Sequence, residues 1–118
     1  MPNIDLLPIV KLLLPKVLVS YFDIVSHSSD EEDLHFYFQE RNELPSEYKK
    51  GQATSKGFYN EITIQDFPIR GKQVYLHVKR RRWQDNSTGS VVTRDWDLVA
   101  KGTRMTKEFA TFLKQIHK

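Results

Sequence analysis

Residues 74–83 read VYLHVKRRRW, and apolar and polar side chains alternate along the first half of this stretch. Successive side chains of a β-strand point to opposite faces, so Val74, Leu76 and Val78 are predicted to face a core. The other face then presents cations and aromatic rings together: Tyr75, His77, Lys79, Arg81 and Trp83. The stretch predicts one strand, from residue 74 to residue 83, with an apolar face and a cationic, aromatic face.

The segments on either side of this strand show the same two-residue period. Further strands are predicted at residues 22–27, 34–41, 58–67 and 90–98, with an acidic loop at 28–33 and turns at 68–71 and 85–89. Residues 42–55 contain few large apolar side chains and predict a long connection. Together these segments favour an antiparallel meander sheet of about four or five strands.

Helices are predicted at both ends of the chain. Near the N-terminus, apolar residues recur at helical spacing, and Pro15 divides them into helices over residues 4–13 and 15–21. Near the C-terminus, residues 107–116 have one apolar face, and Thr106 is a suitable N-cap. The fold class is therefore α+β. We expect a single domain over residues 1–118, with a helical segment (1–21), a sheet (22–99) and a terminal helix (104–117).

Composition excludes several kinds of protein. The chain of 118 residues has no cysteine, so disulfides, thiolate metal ligands and a cysteine nucleophile are absent. The four histidines are dispersed without metal-ligand spacing, and neither a metal nor a cofactor is predicted. Prolines and lysines interrupt the apolar N-terminal run, which is also too short for a membrane span and lacks the basic start of an export signal. A cytoplasmic protein without membrane association is expected.

The net charge of +3 is unevenly distributed along the chain. Residues 1–50 contain five Lys/Arg against nine Asp/Glu, whereas residues 51–118 contain thirteen against six. A local cationic excess suits a polyanion partner, because each Lys or Arg placed at a phosphate releases condensed counterions. Many proteins without a nucleic-acid partner have a mild basic excess too, so charge alone does not decide the function.

Two interpretations of the strand at residues 74–83 remain open. In the functional one, its cations contact phosphates while rings and guanidinium planes stack on bases. In the structural one, Lys and Arg keep an edge strand soluble by preventing edge-to-edge pairing. Arg80 and Arg82 fall on the apolar side of this strand, so we expect them at its frayed end or paired with Asp95 and Asp97.

An enzymatic function has little support in the sequence. Asp95 and Asp97 would share a strand face and could begin the cation site of a nuclease, but no third ligand stands in a fixed relation to them. Neutralisation of the neighbouring arginines explains these carboxylates better. The chain contains no Gly-rich phosphate loop, nucleophile elbow or His-Glu metal helix. No catalytic residue is predicted.

The run KGFYNEITIQDFPIRGKQVYLHVKRRRW, residues 56–83, resembles the N-terminal region of ISAon-type insertion-sequence transposases, a branch of the ISL-three superfamily. The segments TRDWDLVAKGTRMT (93–106), LLPIVKLLLP (6–15) and SYFD (20–23) extend the resemblance over nearly the whole chain. In the broader superfamily this region is similar to a zinc ribbon that precedes a helix-turn-helix and an acidic-triad catalytic domain. Asp85 and Thr88 stand where the second cysteine pair would be, with Gly89 retained, and the first pair would lie within residues 42–55.

The resemblance therefore implies a zinc-free relative of that ribbon without the catalytic domain, either as a fragment or as a separate reading frame. It predicts a non-catalytic, DNA-binding N-terminal region of a bacterial transposase whose partner is the double-stranded DNA of the terminal repeats. The transposase catalytic domain could be a further partner. The predicted DNA-binding surface comprises Tyr75, His77, Lys79, Arg81 and Trp83, with Arg80, Arg82 and Arg94 as supporting cations. The alternative is a protein-interaction or regulatory module that pairs with a separately encoded transposase through the apolar N-terminal helices or the terminal helix.

Overall fold

The computed structural model describes residues 7–92 and 103–116. The elements of this part of the chain are α1 (Leu7–Leu12), α2 (Lys16–Tyr21), β1 (Phe22–Ser29), β2 (Asp33–Glu40), β3 (Ala53–Phe58), β4 (Ile62–Ile69), β5 (Lys72–Lys79), β6 (Arg81–Asp85), β7 (Val91–Val92) and α3 (Lys107–Ile116). The predicted α+β class is confirmed. The ends of the predicted segments at residues 4–6, 93–98 and 117 lie outside the described residues. None of the helices in the described ranges is long and apolar enough to cross a membrane.

The strands form two sheets rather than one meander. The first sheet has the order β1-β2-β5-β4, and the second has the order β3-β6-β7. The pair β2 and β5 is parallel, from Asp33 opposite Gln73 to Gln39 opposite Lys79, whereas the other pairs are antiparallel. A parallel pair needs a long crossover between its strands, and here that crossover contains the connection after β2 together with β3 and β4.

Two of the predicted strands are each divided between the two sheets. The segment predicted at 58–67 separates into the end of β3 at Phe58 and the first part of β4, which begins at Ile62 and continues to Ile69. The segment predicted at 74–83 separates into β5, which ends at Lys79, and β6, which begins at Arg81. The backbone N–H of Tyr59 donates to the carbonyl of Arg80 at 2.9 Å, so the two crossings lie side by side.

The main core lies between α1, α2 and one face of the first sheet. Val74, Leu76 and Val78 are almost completely buried there, as the alternation predicts. Leu14 and Leu18 pack on them together with aromatic side chains of β1 and β2. Burial of this apolar surface is the largest favourable contribution to folding, and it fixes which face of β5 remains on the outside.

A tight turn shapes the β4–β5 hairpin, and a side-chain cap begins α3. Arg70 and Gly71 have φ angles of 53° and 80° between the paired residues Ile69 and Lys72, as in a type I′ turn that fits the twist of the β4–β5 hairpin. The hydroxyl of Thr106 accepts a hydrogen bond from the N–H of Phe109, which confirms the predicted N-cap of α3.

Candidate nucleic-acid interface

The structure places only three of the predicted site residues on one face of the first sheet. Tyr75, His77 and Lys79 lie opposite the core, on a surface that we call the outer face. Lys79 is exposed, and the rings of Tyr75 and His77 are partly buried. The outer face also contains His35, Tyr37 and Gln39 of β2, because the parallel register pairs each of them with one of the three.

Trp83 does not belong to an exposed surface, and this part of the prediction is wrong. Its side chain is only 1% exposed. Its indole Nε1–H donates at 3.0 Å to Oε2 of Glu40, a carboxylate that is itself 2% exposed. A buried indole is stable when its one donor has a partner, so this tryptophan is a structural residue of the junction between the sheets.

Arg81 is likewise held at that junction by hydrogen bonds. Its backbone N–H donates to Oε1 of Glu40 at 3.0 Å, and its Nε–H donates to the carbonyl of Glu40 at 2.9 Å. Its Nη1 donates to the hydroxyl of Ser55 at 2.9 Å, and the guanidinium lies 4.5 Å from the centre of the Phe58 ring. The prediction that Arg81 stands beside Lys79 as an exposed cation is therefore corrected.

Two of the remaining cations of the run lie over one tyrosine. The guanidinium carbons of Arg80 and Arg82 lie 5.3 Å and 5.8 Å from the centre of the Tyr59 ring. Among residues 7–92 and 103–116, no carboxylate forms an ion pair with Lys79, Arg80 or Arg82. The Nε of Arg80 is buried without a hydrogen-bond partner in the same part of the chain. We call Tyr59, Lys79, Arg80 and Arg82 the junction cluster.

The position of this cluster in the sheets bears on the structural interpretation of the basic run. β5 lies between β2 and β4, and β6 lies between β3 and β7. β5 is therefore not an edge strand, so Lys79 is not needed to prevent edge-to-edge pairing. Among the described residues β7 pairs with β6 only at Trp83 and Gln84, and Arg82 precedes this pairing. Arg94 lies outside the described residues, as do Asp95 and Asp97, which were considered as partners of Arg80 and Arg82.

The aromatic rings of the outer face stack in a series that the sequence did not predict. Four rings contact one another in series, Tyr75 with His35 at 5.3 Å, His35 with His77 at 5.0 Å, and His77 with Tyr37 at 4.5 Å between centroids. The Nδ1 of His35 lies 2.8 Å from Nε2 of His77, so the two imidazoles share a hydrogen bond. Sequence reasoning missed His35, Tyr37 and Tyr59, because their neighbours come from strands far away in the chain.

The second nitrogen of His77 is also engaged. Its Nδ1 lies 3.0 Å from the Thr63 hydroxyl and 3.5 Å from Oε1 of Glu61. Burial lowers the pKa of His77, which Glu61 raises and His35 lowers further. Burial therefore favours the neutral form of His77, and the ring bridges His35 and the Thr63–Glu61 side.

The two turns where the resemblance implies cysteine pairs are held together by hydrogen bonds. The Asp85 carboxylate accepts from the Ser87 hydroxyl at 2.6 Å and from the Ser87 and Thr88 N–H groups at 2.9 Å and 3.3 Å. These bonds, with that of the Ser87 side chain first, hold the pKa of Asp85 below its usual range. Asn86 then links this turn to the earlier connection through the carbonyls of Gly51 and Gln52.

Neither turn offers a set of metal ligands within the described residues. No group of three or more His, Asp or Glu side chains in residues 7–92 and 103–116 is arranged to hold a metal ion. The hydroxyl of Tyr48 donates to Oδ2 of Asp85 at 3.3 Å, which leaves that carboxylate oxygen with a partner. The turns are therefore stabilised by an Asx-type network, as expected where a short acidic side chain binds its own following backbone.

The comparisons with known proteins give no match. No family model matches the chain, and neither the curated proteins nor the solved structures contain one that does. The site must therefore be interpreted from its own geometry.

Proposed function

We propose that this chain is a non-catalytic module that binds double-stranded DNA through the junction cluster and the adjoining outer face. The observation that carries the proposal is the junction cluster itself. Lys79, Arg80 and Arg82 have no carboxylate partner in the described ranges and lie where the chain passes from β5 to β6, and the two arginines lie over Tyr59. Cations without an ion-pair partner in these ranges are available for phosphates.

The surface around the two arginines suits an extended anion. Arg82 is exposed, and neither Arg80 nor Arg82 lines the recesses beside Glu61. A guanidinium stacked on an aromatic ring keeps its planar donor edge oriented at little further loss of side-chain entropy. An open surface with preoriented cations is suited to an extended polyanion.

The charge distribution of the first sheet supports a preferred direction of approach. The loop before β2 contains Asp30, Glu31 and Glu32, and Asp33 begins that strand. β5 starts beside this loop, since the Lys72 side chain donates to the carbonyl of Asp30, and it ends at Lys79. An anionic partner is therefore drawn most strongly toward the β5–β6 junction.

The more specific part of the proposal concerns which DNA the chain binds. The terminal repeats of an insertion sequence, and the role of the chain as the N-terminal region of a transposase, follow from the resemblance of residues 56–83. The supporting structural feature is the small antiparallel sheet β3-β6-β7, whose two turns are linked through Asn86. Preference for one duplex over another would have to come from base contacts, because phosphate contacts carry no sequence information.

The test is a salt-dependent titration of the whole chain with a terminal-repeat duplex and a scrambled duplex. The variant is the double substitution Lys79→Ala, Arg82→Ala, in which both residues are exposed. Its matched control is Lys49→Ala, Lys50→Ala, which removes the same charge from exposed positions in the connection before β3. We expect the wild-type affinity to fall with salt at a slope of about −0.9 for each neutralised phosphate.

The outcomes separate a local site from a general effect of charge. The junction variant should lose about tenfold to a hundredfold in affinity for both duplexes and should have a shallower salt slope, whereas the control should bind nearly as the wild type does. Equal losses in both variants would leave only the net charge as the explanation. Absence of wild-type binding even at low salt would refute the DNA-binding function.

A second candidate function is supported by exposed apolar side chains on the helices. Leu12, the last residue of α1, and the following Leu13 are 84% and 61% exposed. Phe112 and Ile116 of α3 are 44% and 56% exposed. Such side chains suit a protein-interaction module that pairs with a separately encoded transposase. The double substitution Leu12→Ser, Phe112→Ser should abolish copurification with that transposase under this alternative and should leave DNA binding unchanged.

A further inference from the structure

The outer face holds two histidines, His35 and His77, whose rings are hydrogen-bonded to each other. The hydrogen bond between the two rings uses Nδ1 of His35 and Nε2 of His77. Nδ1 of His77 is engaged by Thr63 and Glu61, so both nitrogens of His77 have partners. Nε2 of His35 forms no hydrogen bond within residues 7–92 and 103–116, and it is the one ring nitrogen of the pair that remains for a ligand.

The arrangement determines where the pair can hold a proton. Glu61 favours a hydrogen on Nδ1 of His77, because a carboxylate accepts from an N–H and repels a lone pair. Nε2 of His77 is then an acceptor, and His35 donates to it through Nδ1. A further proton goes to Nε2 of His35, which gives an imidazolium that donates to the neutral His77 in a charge-assisted bond.

We propose that His35 is a phosphate-contacting residue of this surface, which donates from Nε2 to a phosphate oxygen when the pair carries the added proton. His77 is its positioning residue, since it fixes the His35 ring and accepts from it. This inference rests on the proposed DNA-binding function and specifies how that function depends on pH. The ligand chemistry is a phosphate oxygen on a nucleic-acid backbone.

The position of His35 suits a partner that also reaches the junction cluster. In the parallel register His35 lies opposite Tyr75, and Lys79 lies opposite Gln39, four residues further along the strands. At a rise of about 3.3 Å per residue this places the two cations about 13 Å apart on the same face. One segment of DNA backbone can contact both positions, because successive phosphates follow each other at shorter intervals.

Charged groups lie on both sides of the pair. The N–H groups of Glu32 and Asp33 bind the Asp30 carboxylate and lower its pKa, and electrostatic interaction with His35 lowers this pKa further. Glu61 lies on the far side of His77. The titratable or charged groups that face the pair are therefore Asp30 and Lys72 beside the β1–β2 loop, Asp33 and Tyr37 on β2, Glu61 before β4, and Tyr75 and Lys79 on β5.

The experiment measures affinity for a mixed-sequence DNA duplex of about two helical turns from about pH 5 to about pH 8. Binding takes up at most one proton at this pair, so the wild-type affinity should rise as the pH falls through the histidine range. We expect a gain of roughly threefold to tenfold over that range, since one exposed charge-assisted contact is added. His35→Gln should remove most of this gain.

The control is His27→Gln, because His27 is an exposed histidine of β1 outside the pair. It should keep the wild-type pH dependence. His77→Gln should weaken the gain only in part, since a positioning residue is lost while Nε2 of His35 remains. If His35→Gln keeps the full gain, or if His27→Gln loses it equally, His35 is not the contact, although DNA binding and the proposed function would stand.

A second probe tests His35 independently of the duplex. Inorganic phosphate is titrated into the folded wild-type chain near pH 6, and the ring ¹⁵N resonances of the histidines are followed. The Nε2 resonance of His35 should move more than either resonance of His27. If no duplex binds but this shift occurs, the phosphate contact stands and the proposed function falls, and if the shift is absent the contact itself is refuted.

Discussion

Glu40 is the residue on which the junction between the two sheets depends most. It ends β2 of the first sheet, and its carboxylate accepts from the Arg81 N–H and the Trp83 indole at 3.0 Å each, both in β6 of the second sheet. The group is 2% exposed, so water cannot replace either bond. Glu40→Ala leaves two buried donors without a partner and removes packing beside the indole.

The magnitude follows from these two bonds. A hydrogen bond to a charged group contributes about 1.5–3 kcal/mol, and loss of one member of a buried charged contact costs about 3–5 kcal/mol in total. We expect Glu40→Ala to lower the free energy of unfolding by about 3–5 kcal/mol. Glu40→Gln keeps one acceptor oxygen and should lose roughly half as much, so it also serves as the variant that still folds.

The assay is urea unfolding followed by tryptophan fluorescence, together with a double-mutant cycle between Glu40→Gln and Trp83→Phe. The cycle should give a coupling free energy of about 1–2 kcal/mol, because Phe lacks the indole donor. Glu47→Ala, at an exposed position, should change stability by no more than about 0.5 kcal/mol. A loss below about 1 kcal/mol in Glu40→Ala, or additive effects in the cycle, would refute the bridging role.

Three further predictions concern single elements, each measured by urea unfolding. Arg41 donates to the carbonyls of Val19 and Ser20 at the end of α2, so Arg41→Lys, which lacks the planar fork, should cost about 1–2 kcal/mol. Thr106 donates to the buried Asp66 and caps α3, so Thr106→Val should cost about 1–3 kcal/mol and Thr106→Ser much less. Burial lowers the pKa of His77 in the folded chain, so the unfolded chain binds more protons in the pH range just below the usual pKa of histidine. Stability should therefore rise as the pH rises through this window and fall on acidification, and His77→Gln should flatten that dependence.

The local patterns of the sequence predict the elements better than their arrangement. Alternation at Val74, Leu76 and Val78 identifies the core face of β5, and the cap at Thr106 marks the start of α3. Neither pattern contains information on which strands become neighbours. The parallel pairing of β2 with β5 depends on burial of both strands against α1 and α2, and it is this pairing that brings His35 beside His77.

The prediction of which basic-run side chains are exposed fails for one physical reason. At Arg80 the burial pattern changes from even-numbered to odd-numbered residues. In β5 the even-numbered residues are buried, whereas in β6 Trp83 is buried and Arg81 is partly buried. The chain leaves one sheet and enters the other at Arg80, and a shift of one residue moves every later side chain to the opposite face. A continuous two-residue period placed Arg81 and Trp83 outside, since no feature of the sequence marks the point where the sheets change.

The same change of burial pattern determines which cations can contact a partner. Of four consecutive basic residues, Lys79 and Arg82 are exposed, Arg80 is partly buried over Tyr59, and Arg81 is bound to Glu40 and Ser55. Removal of the Arg81 side chain should therefore lower the free energy of unfolding, and any loss of DNA affinity should follow from this loss of stability. Removal of the Arg82 side chain should lower DNA affinity while the free energy of unfolding stays nearly unchanged. An Arg81→Ala variant that is as stable as the wild type but loses binding would contradict this division, because its guanidinium would then have been available to the ligand all along.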